Sequence, residues 1–221
     1  MRSSLRIAVL GLGYVGLPLS LELSKHFRVV GYDINKNKIN LLKKSKDLNK
    51  EYSSTELKKF SNIIFTSHKN DISQSNVYIV ALPTPIKKNK SPNTKFLVSA
   101  CELIGTLVKK EDLVVFESTV FPGLTEEICI PIIEKISKKK LHIDFNVGYS
   151  PERINPGDKK NNIQNITKVI SASNNKSLQI MKKIYSKICK KVYSAESIKI
   201  AEGAKIIENI QRDINIALVN E

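Results

Sequence analysis

Residues 5–33 read LRIAVLGLGYVGLPLSLELSKHFRVVGYD, and this stretch decides the fold. An apolar run, Ile7-Ala8-Val9-Leu10, leads into Gly11, Gly13 and Gly16, and a second apolar run, 27–32, ends at Asp33. The order is strand, glycine turn, helix, strand, acid. Gly11 makes the tight turn, Gly13 lets a pyrophosphate approach the backbone, and Gly16 lets the helix pack against the sheet. The helix N-terminus at Tyr14 and Val15 offers N–H groups and a positive dipole end to phosphates. Asp33 lies about 20 residues beyond the first glycine, the distance at which an acid accepts hydrogen bonds from an adenosine ribose. A carboxylate there repels a 2′-phosphate, so the cofactor expected is NAD rather than NADP. Lys36 and Lys38 lie close enough to blunt that repulsion, and they also read as a solvated first turn after the strand.

Outward from this unit, short apolar β-rich runs alternate with helical patterns. Strands are expected over 5–10, 28–33, 63–66, 77–82, 113–117, 144–149, 168–171 and 191–193. Helical windows fall over 94–109, 124–138 and 175–189. Continuous apolar strands with intervening helices indicate a Rossmann-type α/β fold, doubly wound, with a mainly parallel sheet and helices on both faces. That domain is expected to occupy residues 1–195. Over 196–221, Ile200, Ala201, Ala204, Ile207, Ile210, Ile214, Ala217 and Leu218 recur at helical spacing. Such a helix would be roughly 39 Å long, and no Gly or Pro terminator closes it. It reads as the beginning of a long helix connecting two domains, in a chain cut from a longer protein.

The net charge of +15 and pI of about 9.6 raise the question of nucleic acid. The lysines, however, fall in short clusters such as Lys43-Lys44, Lys138 to Lys140 and Lys190-Lys191, with no interleaved aromatic residues. A base-stacking surface needs both a continuous basic stripe and aromatic platforms, so no nucleic-acid partner is expected. Cys101, Cys129 and Cys189 are odd in number and lack CxxC spacing, and His26, His68 and His142 lack metal-ligand spacing. Neither a disulfide framework nor a metal site is expected. The absence of an apolar run long enough to span a bilayer points to no membrane partner and a cytoplasmic location.

Further segments fall at the carboxyl ends of the expected strands, where open α/β sheets place ligands. They are Pro83-Thr84-Pro85, Ser118-Thr119 and Ser150-Pro151-Glu152-Arg153. Lys205 and Asn209 share one face of the last helix. Each has a plain structural alternative: loop-shaping prolines, a cap at Thr119, a lysine partner for Glu152, a solvated Lys205.

Taken in order, GLGYVGLPLS, ALPTP, ESTVFPGLTEE, YSPERINPGD and AEGAKIIEN resemble the nucleotide-sugar 6-dehydrogenases, the family of UDP-glucose and GDP-mannose dehydrogenases. YSPERINPGD and STVFPG most resemble the branch acting on UDP-N-acetylhexosamines for surface polysaccharides. The resemblance implies oxidation of a sugar C6 alcohol to a carboxylate in two hydride transfers to NAD, with a UDP-sugar as substrate. It implies that Asp33 and Lys38 hold the adenosine ribose and that Thr84 lines the cofactor cleft. It implies further that Thr119 stands beside the nicotinamide and positions a water, and that Glu152 acts with that water. By the same resemblance Lys205 would stabilise oxyanion charge, Asn209 would orient the substrate, and Arg153 would join Glu152, Lys205 and Asn209 in binding it. A homodimer through the long helix is implied as well.

The departures from the pattern are specific. Pro156 stands where the UDP-glucose branch carries a second glutamate. The family's nucleophilic cysteine belongs to a glycine-rich segment in a second half, with the UDP-binding domain, and nothing here matches it. The chain alone is therefore expected to bind NAD without completing the two-step oxidation. A smaller β-hydroxyacid dehydrogenase shares the glycine turn and the Lys-x-x-x-Asn helix but does not account for ESTVFPG or SPERINPG. A non-catalytic NAD-binding fragment or sensor would not need Lys205.

Overall fold

The computed structural model describes residues 4–152 and 164–221. Its sheet has eight strands in the order β3-β2-β1-β4-β5-β6-β7-β8. They are β1 (Arg6–Leu10), β2 (Arg28–Tyr32), β3 (Ile63–Thr66), β4 (Val77–Val80), β5 (Asp112–Phe116), β6 (Phe145–Tyr149), β7 (Thr167–Ala172) and β8 (Lys191–Ser194). All neighbours pair in parallel except β6 and β7, which run antiparallel through Gly148 opposite Ala172 and Tyr149 opposite Ser171. β1 lies between β2 and β4, so the chain reverses its winding direction there. That is the switch point at which such sheets open a crevice for a ligand.

Both faces of the central strands are buried, which is why they read as unbroken apolar runs. Side chains alternate across a strand, and the two cores show it. Ile7, Val9, Val77, Ile79, Leu113 and Val115 face one layer, formed by α1 (Gly16–Ser24) and α6 (Asn175–Tyr185). Ala8, Leu10, Tyr78, Val80, Val114 and Phe116 face the other, where α4 (Lys95–Leu107) and α5 (Ile130–Ser137) pack. A third apolar cluster joins Leu12, Leu17 and Leu21 to Ile39, Leu42 and Leu57 of α2 (Lys36–Lys43) and α3 (Ser54–Leu57). The doubly wound α/β architecture expected from the sequence is present.

One element departs from its expected form. The window 124–138 is not one α-helix: it opens with a π-helical turn, Thr125–Cys129, and becomes α5 only at Ile130. Pro131, near the start of α5, has no N–H for the ladder. The buried Glu202 carboxylate takes the N–H groups of Gly123 at 2.6 Å and Thr125 at 3.0 Å, fixing the entry to this segment. Lys36 and Lys38 lie in the first turn of α2, capped by the Asn35 side chain accepting from the Lys38 N–H, with Lys36 exposed.

Glu202 belongs to α7 (Ile198–Asn220), capped by Ser197. Its first turn packs through Ile198, Ala201 and Glu202, and from Ile210 onward every residue is exposed. The helix therefore leaves the domain after anchoring in it. Glu202→Ala strands two buried donors, each worth about 1.5–3 kcal/mol when bonded to a charge. We expect a fall in melting temperature on thermal unfolding, and a smaller fall for Glu202→Gln, which keeps an acceptor.

Candidate active site

The ends of β1, β4, β5 and β6 form one rim. Each loop is tied to the strand beside it: Ala81 N–H to Leu10 O at 2.9 Å, Glu117 N–H to Val80 O at 2.9 Å, and Ser150 N–H to Phe116 O at 2.9 Å. Side chains reinforce the rim. Ser118 Oγ accepts from the Leu82 N–H at 3.1 Å, and the Tyr149 hydroxyl donates to Ser118 O at 3.1 Å.

At the switch point the glycine turn is tightly built. Gly11 has φ of +92°, a conformation open to glycine. A Cβ on Gly16 would lie 1.8 Å from the Gly11 carbonyl oxygen, whereas a Cβ on Gly13 would meet nothing within 4 Å. Gly16 is thus spent on internal packing, and the space over Gly13 is open for a ligand. α1 begins at Gly16 with Val15 as its N-cap, so Tyr14 and Val15 lie in the turn just before the helix rather than within it. The Leu17 N–H already bonds to Gly13 O at 3.1 Å, and the N–H groups of a first helical turn have no partner within the helix.

Asp33 closes the other side of the cleft. Its carboxylate accepts from the Leu12 N–H at 3.0 Å, the Asn35 N–H at 2.9 Å and the Lys38 ammonium at 2.9 Å. A carboxylate offers roughly four acceptor positions, so one remains for a ribose hydroxyl. An adjacent cavity of about 400 Å³ is lined by Leu10, Tyr32, Ile34, Leu82, Phe96 and Leu103. Its walls suit a flat heteroaromatic ring, and Gly11 and Asp33 also line it. Open space over Gly13, a held carboxylate and an apolar slot fit an adenosine diphosphate group. Phe96 and Ser99 of α4 were not singled out in the sequence, where they read only as part of a helical window. Removing Asp33 as Asp33→Ala should weaken NAD at least about tenfold, the loss of one charged hydrogen bond. It should also narrow the preference for NAD over NADP, with titration calorimetry reading both.

Of the residues expected to act in chemistry, Thr84 and Thr119 are brought together, Thr84 Oγ1 donating to the Thr119 carbonyl at 2.6 Å. The Thr119 side chain is exposed at the rim rather than capping a helix. Lys205 and Pro151, the neighbour of Glu152, line one cavity of about 430 Å³ together with Val169, Ala204 and Glu208. Asn209 sits one turn beyond Lys205, and its side-chain oxygen faces Arg212 at 3.5 Å. Arg153 and Pro156 lie outside the described residues.

Glu152 is buried and does have a lysine partner, Lys168 of β7, at 3.1 Å. Lys168 also meets Glu117 at 2.8 Å, and both of those side chains are fully buried. The Tyr185 hydroxyl donates to the other Glu117 oxygen. Burial raises the Glu117 carboxyl above its ordinary value, while the Lys168 charge pulls the other way. Lys168 is pushed upward overall: burial opposes its charge, but the two carboxylates outweigh that.

The cysteines are buried free thiols. Cys101 is raised first by its hydrogen bond with Cys129 and then by burial, and burial pushes Cys189 up to about 12. Thiols held protonated are poor nucleophiles. Among the described residues, no group of His, Cys, Asp and Glu is placed to hold a metal ion, and no helix is long and apolar enough to cross a membrane.

A glycine turn at a sheet switch point, a held acid and an apolar slot define a dinucleotide-binding α/β domain. The chain belongs to the UDP-glucose/GDP-mannose dehydrogenase family: residues 5–189 match that family's NAD binding domain. It is 49% identical over 217 residues to the UDP-N-acetyl-D-glucosamine 6-dehydrogenase of Salmonella typhi, covering 98% of this chain and 51% of the relative. It is 47% identical over 216 residues to Protein CapL of Staphylococcus aureus, covering 97% of this chain and 51% of the relative. The chain therefore spans about half the length of the curated relatives it matches. A solved ternary complex of GDP-mannose dehydrogenase from Pseudomonas aeruginosa superposes with a TM-score of 0.90 at 27% identity, over 98% of this chain and 52% of that one.

Proposed function

We propose that the chain supplies the NAD site and part of the catalytic site of a nucleotide-sugar 6-dehydrogenase that oxidises a UDP-N-acetylhexosamine to its uronic acid. The observation that carries the reading is the cavity shared by Lys205 and Pro151, the chain neighbour of Glu152. Lys205 lines it with Pro151, which follows the end of β6, and Glu152 is the next residue along the chain; this supports a reading in which the ammonium and the carboxylate act together. Bound NAD supplies the acceptor for hydride leaving the sugar C6. The work of this chain is proton and charge handling. The Lys205 ammonium faces the C6 oxygen and stabilises charge developing there, which is worth most in a dry site. Glu152 takes the proton through one water held by Thr119, as a positioned carboxylate can. Asn209 and Arg153 orient the sugar nucleotide.

In this reading residues 1–195 form the NAD-binding domain, and 196–221 begin a helix leading to a second domain that holds the uridine diphosphate and a nucleophilic cysteine. The exposed Ile207, Ile210 and Ile214 of α7 are proposed to form part of a homodimer contact. We place the protein in the cytoplasm, in the supply of surface polysaccharide precursors.

The test uses the protein encoded by the uninterrupted reading frame that includes this chain, incubated with NAD and UDP-N-acetylglucosamine. The expected result is sugar acid with two NADH per molecule formed, and much slower reaction with UDP-glucose. Failure of any UDP-sugar to yield NADH, with NAD binding intact, contradicts the reading.

A further inference from the structure

Beneath the rim, one buried ammonium faces two carboxylates. Lys168 Nζ donates to Glu117 Oε2 at 2.8 Å, to Glu152 Oε2 at 3.1 Å and to the Pro151 carbonyl at 3.5 Å. An ammonium has three protons, so each has an acceptor. The Tyr185 hydroxyl holds the second oxygen of Glu117, and Lys168 Nζ lies 5.5 Å from the centre of the Tyr185 ring. The nearby titratable groups on the packed elements are Tyr149 of β6 and Cys189 beyond α6.

Packing alone does not explain this arrangement. Replacing buried ion pairs by apolar groups of similar size is often neutral or stabilising, because charges lose their water on burial. Here two like charges are brought to one ammonium, which adds repulsion between the carboxylates. Glu117 is wholly buried, whereas Glu152 lies beside Pro151, which lines the cavity shared with Lys205. The ammonium thus connects the interior Glu117 to Glu152, whose chain neighbour Pro151 lines the cavity. Burial pushes the Glu117 carboxyl up while the Lys168 charge pulls it back, so the two carboxylates share one ammonium.

We propose that Lys168 is a positioning residue of the active site: its ammonium fixes the orientation and charge of Glu152, while Glu117 and Tyr185 hold the ammonium in place. The proposal rests on the role given above to Glu152 as the base acting through water. An ionised carboxylate aimed by a rigid partner can accept a proton at neutral pH, whereas a buried, unpaired one is driven toward its neutral form.

The test is a carbon-13 NMR titration of glutamate carboxyls in the 221-residue chain, with the Glu152 signal identified by its loss in Glu152→Gln. NAD affinity is measured on every sample. In Lys168→Met the Glu152 midpoint should rise by about one pH unit or more, with NAD affinity within about twofold of the parent, as expected for a change outside the glycine turn. In Glu117→Gln, which keeps the side-chain shape and an acceptor for Tyr185, the Glu152 midpoint should fall, because the ammonium is no longer shared. A Glu152 midpoint unmoved in Lys168→Met that still binds NAD overturns the proposal. If Lys168→Met does not fold, a midpoint that stays or rises in Glu117→Gln overturns it. A parent chain that does not bind NAD refutes the dinucleotide reading instead and leaves the Glu152 result to stand by itself.

Discussion

Gly16→Ala should abolish NAD binding and destabilise the domain, while Gly13→Ala should remove binding and leave stability almost unchanged. The two glycines stand in one turn, yet their surroundings are opposite. A Cβ on Gly16 would sit 1.8 Å from the Gly11 oxygen and 3.2 Å from the Ala81 side chain. Neither neighbour can yield: Gly11 is held by its N–H to Tyr32 O at 2.8 Å, and Ala81 by its N–H to Leu10 O at 2.9 Å. Overpacking so rigid a place costs about 3 kcal/mol, and the turn that results no longer presents its N–H groups. Gly13 has open space instead, so an added methyl strains nothing in the free protein. It would occupy the path of the pyrophosphate, and we expect affinity to fall about 100-fold, the loss of two or so good hydrogen bonds. Thermal melting and NAD titration on the two variants separate the cases. Equal loss of stability in both would mean that the turn is only a packing device.

In the longer protein proposed above, Lys205→Ala should lower turnover of the proposed UDP-sugar substrate about a thousandfold, at the upper end of what one oxyanion donor contributes, with NAD affinity within about twofold of the parent. The separation follows from position. Lys205 lies on α7 and lines the cavity shared with Pro151 and Val169, whereas the adenosine slot is lined from Gly11, Asp33 and α4. An ammonium that stabilises charge only as the C6 oxygen loses its proton should affect kcat more than substrate binding. Lys205→Arg keeps the charge but spreads it over a planar fork, so partial activity is expected there. Turnover that survived Lys205→Ala would remove the lysine from the chemistry and favour an NAD-binding fragment with another role.

The sheet was legible because its central strands are buried on both faces. Runs such as Ile7 to Leu10 and Val77 to Val80 need no alternation of polar residues to be recognised. The glycine turn was legible because each glycine answers a distinct steric demand. The π-helical turn at Thr125–Cys129 was not, since π and α turns share nearly the same residue preferences, and the Glu202 clamp that shapes its start comes from far along the chain. Lys168 carried a signal that went unused. In TKVISA it shares a face with Ile170, and both are fully buried. A lysine in an inward strand register must find an anion, but which anion is a matter of topology: Glu117 stands 51 residues away, brought to it by the pairing of β5, β6 and β7. Asp33 was legible as an acid at the right distance, yet its hold by Leu12, Asn35 and Lys38 emerged only in three dimensions.

The measurement closest to the central claim is a calorimetric titration of the 221-residue chain with NAD and, separately, with NADP. A site built from the open space at Gly13 and the carboxylate of Asp33 should bind NAD at one site per chain. NADP should bind at least about tenfold more weakly, because its 2′-phosphate meets that carboxylate. Equal affinity for the two, or a preference for NADP, would contradict the placement of the ribose at Asp33. No saturable binding of either would contradict the site itself.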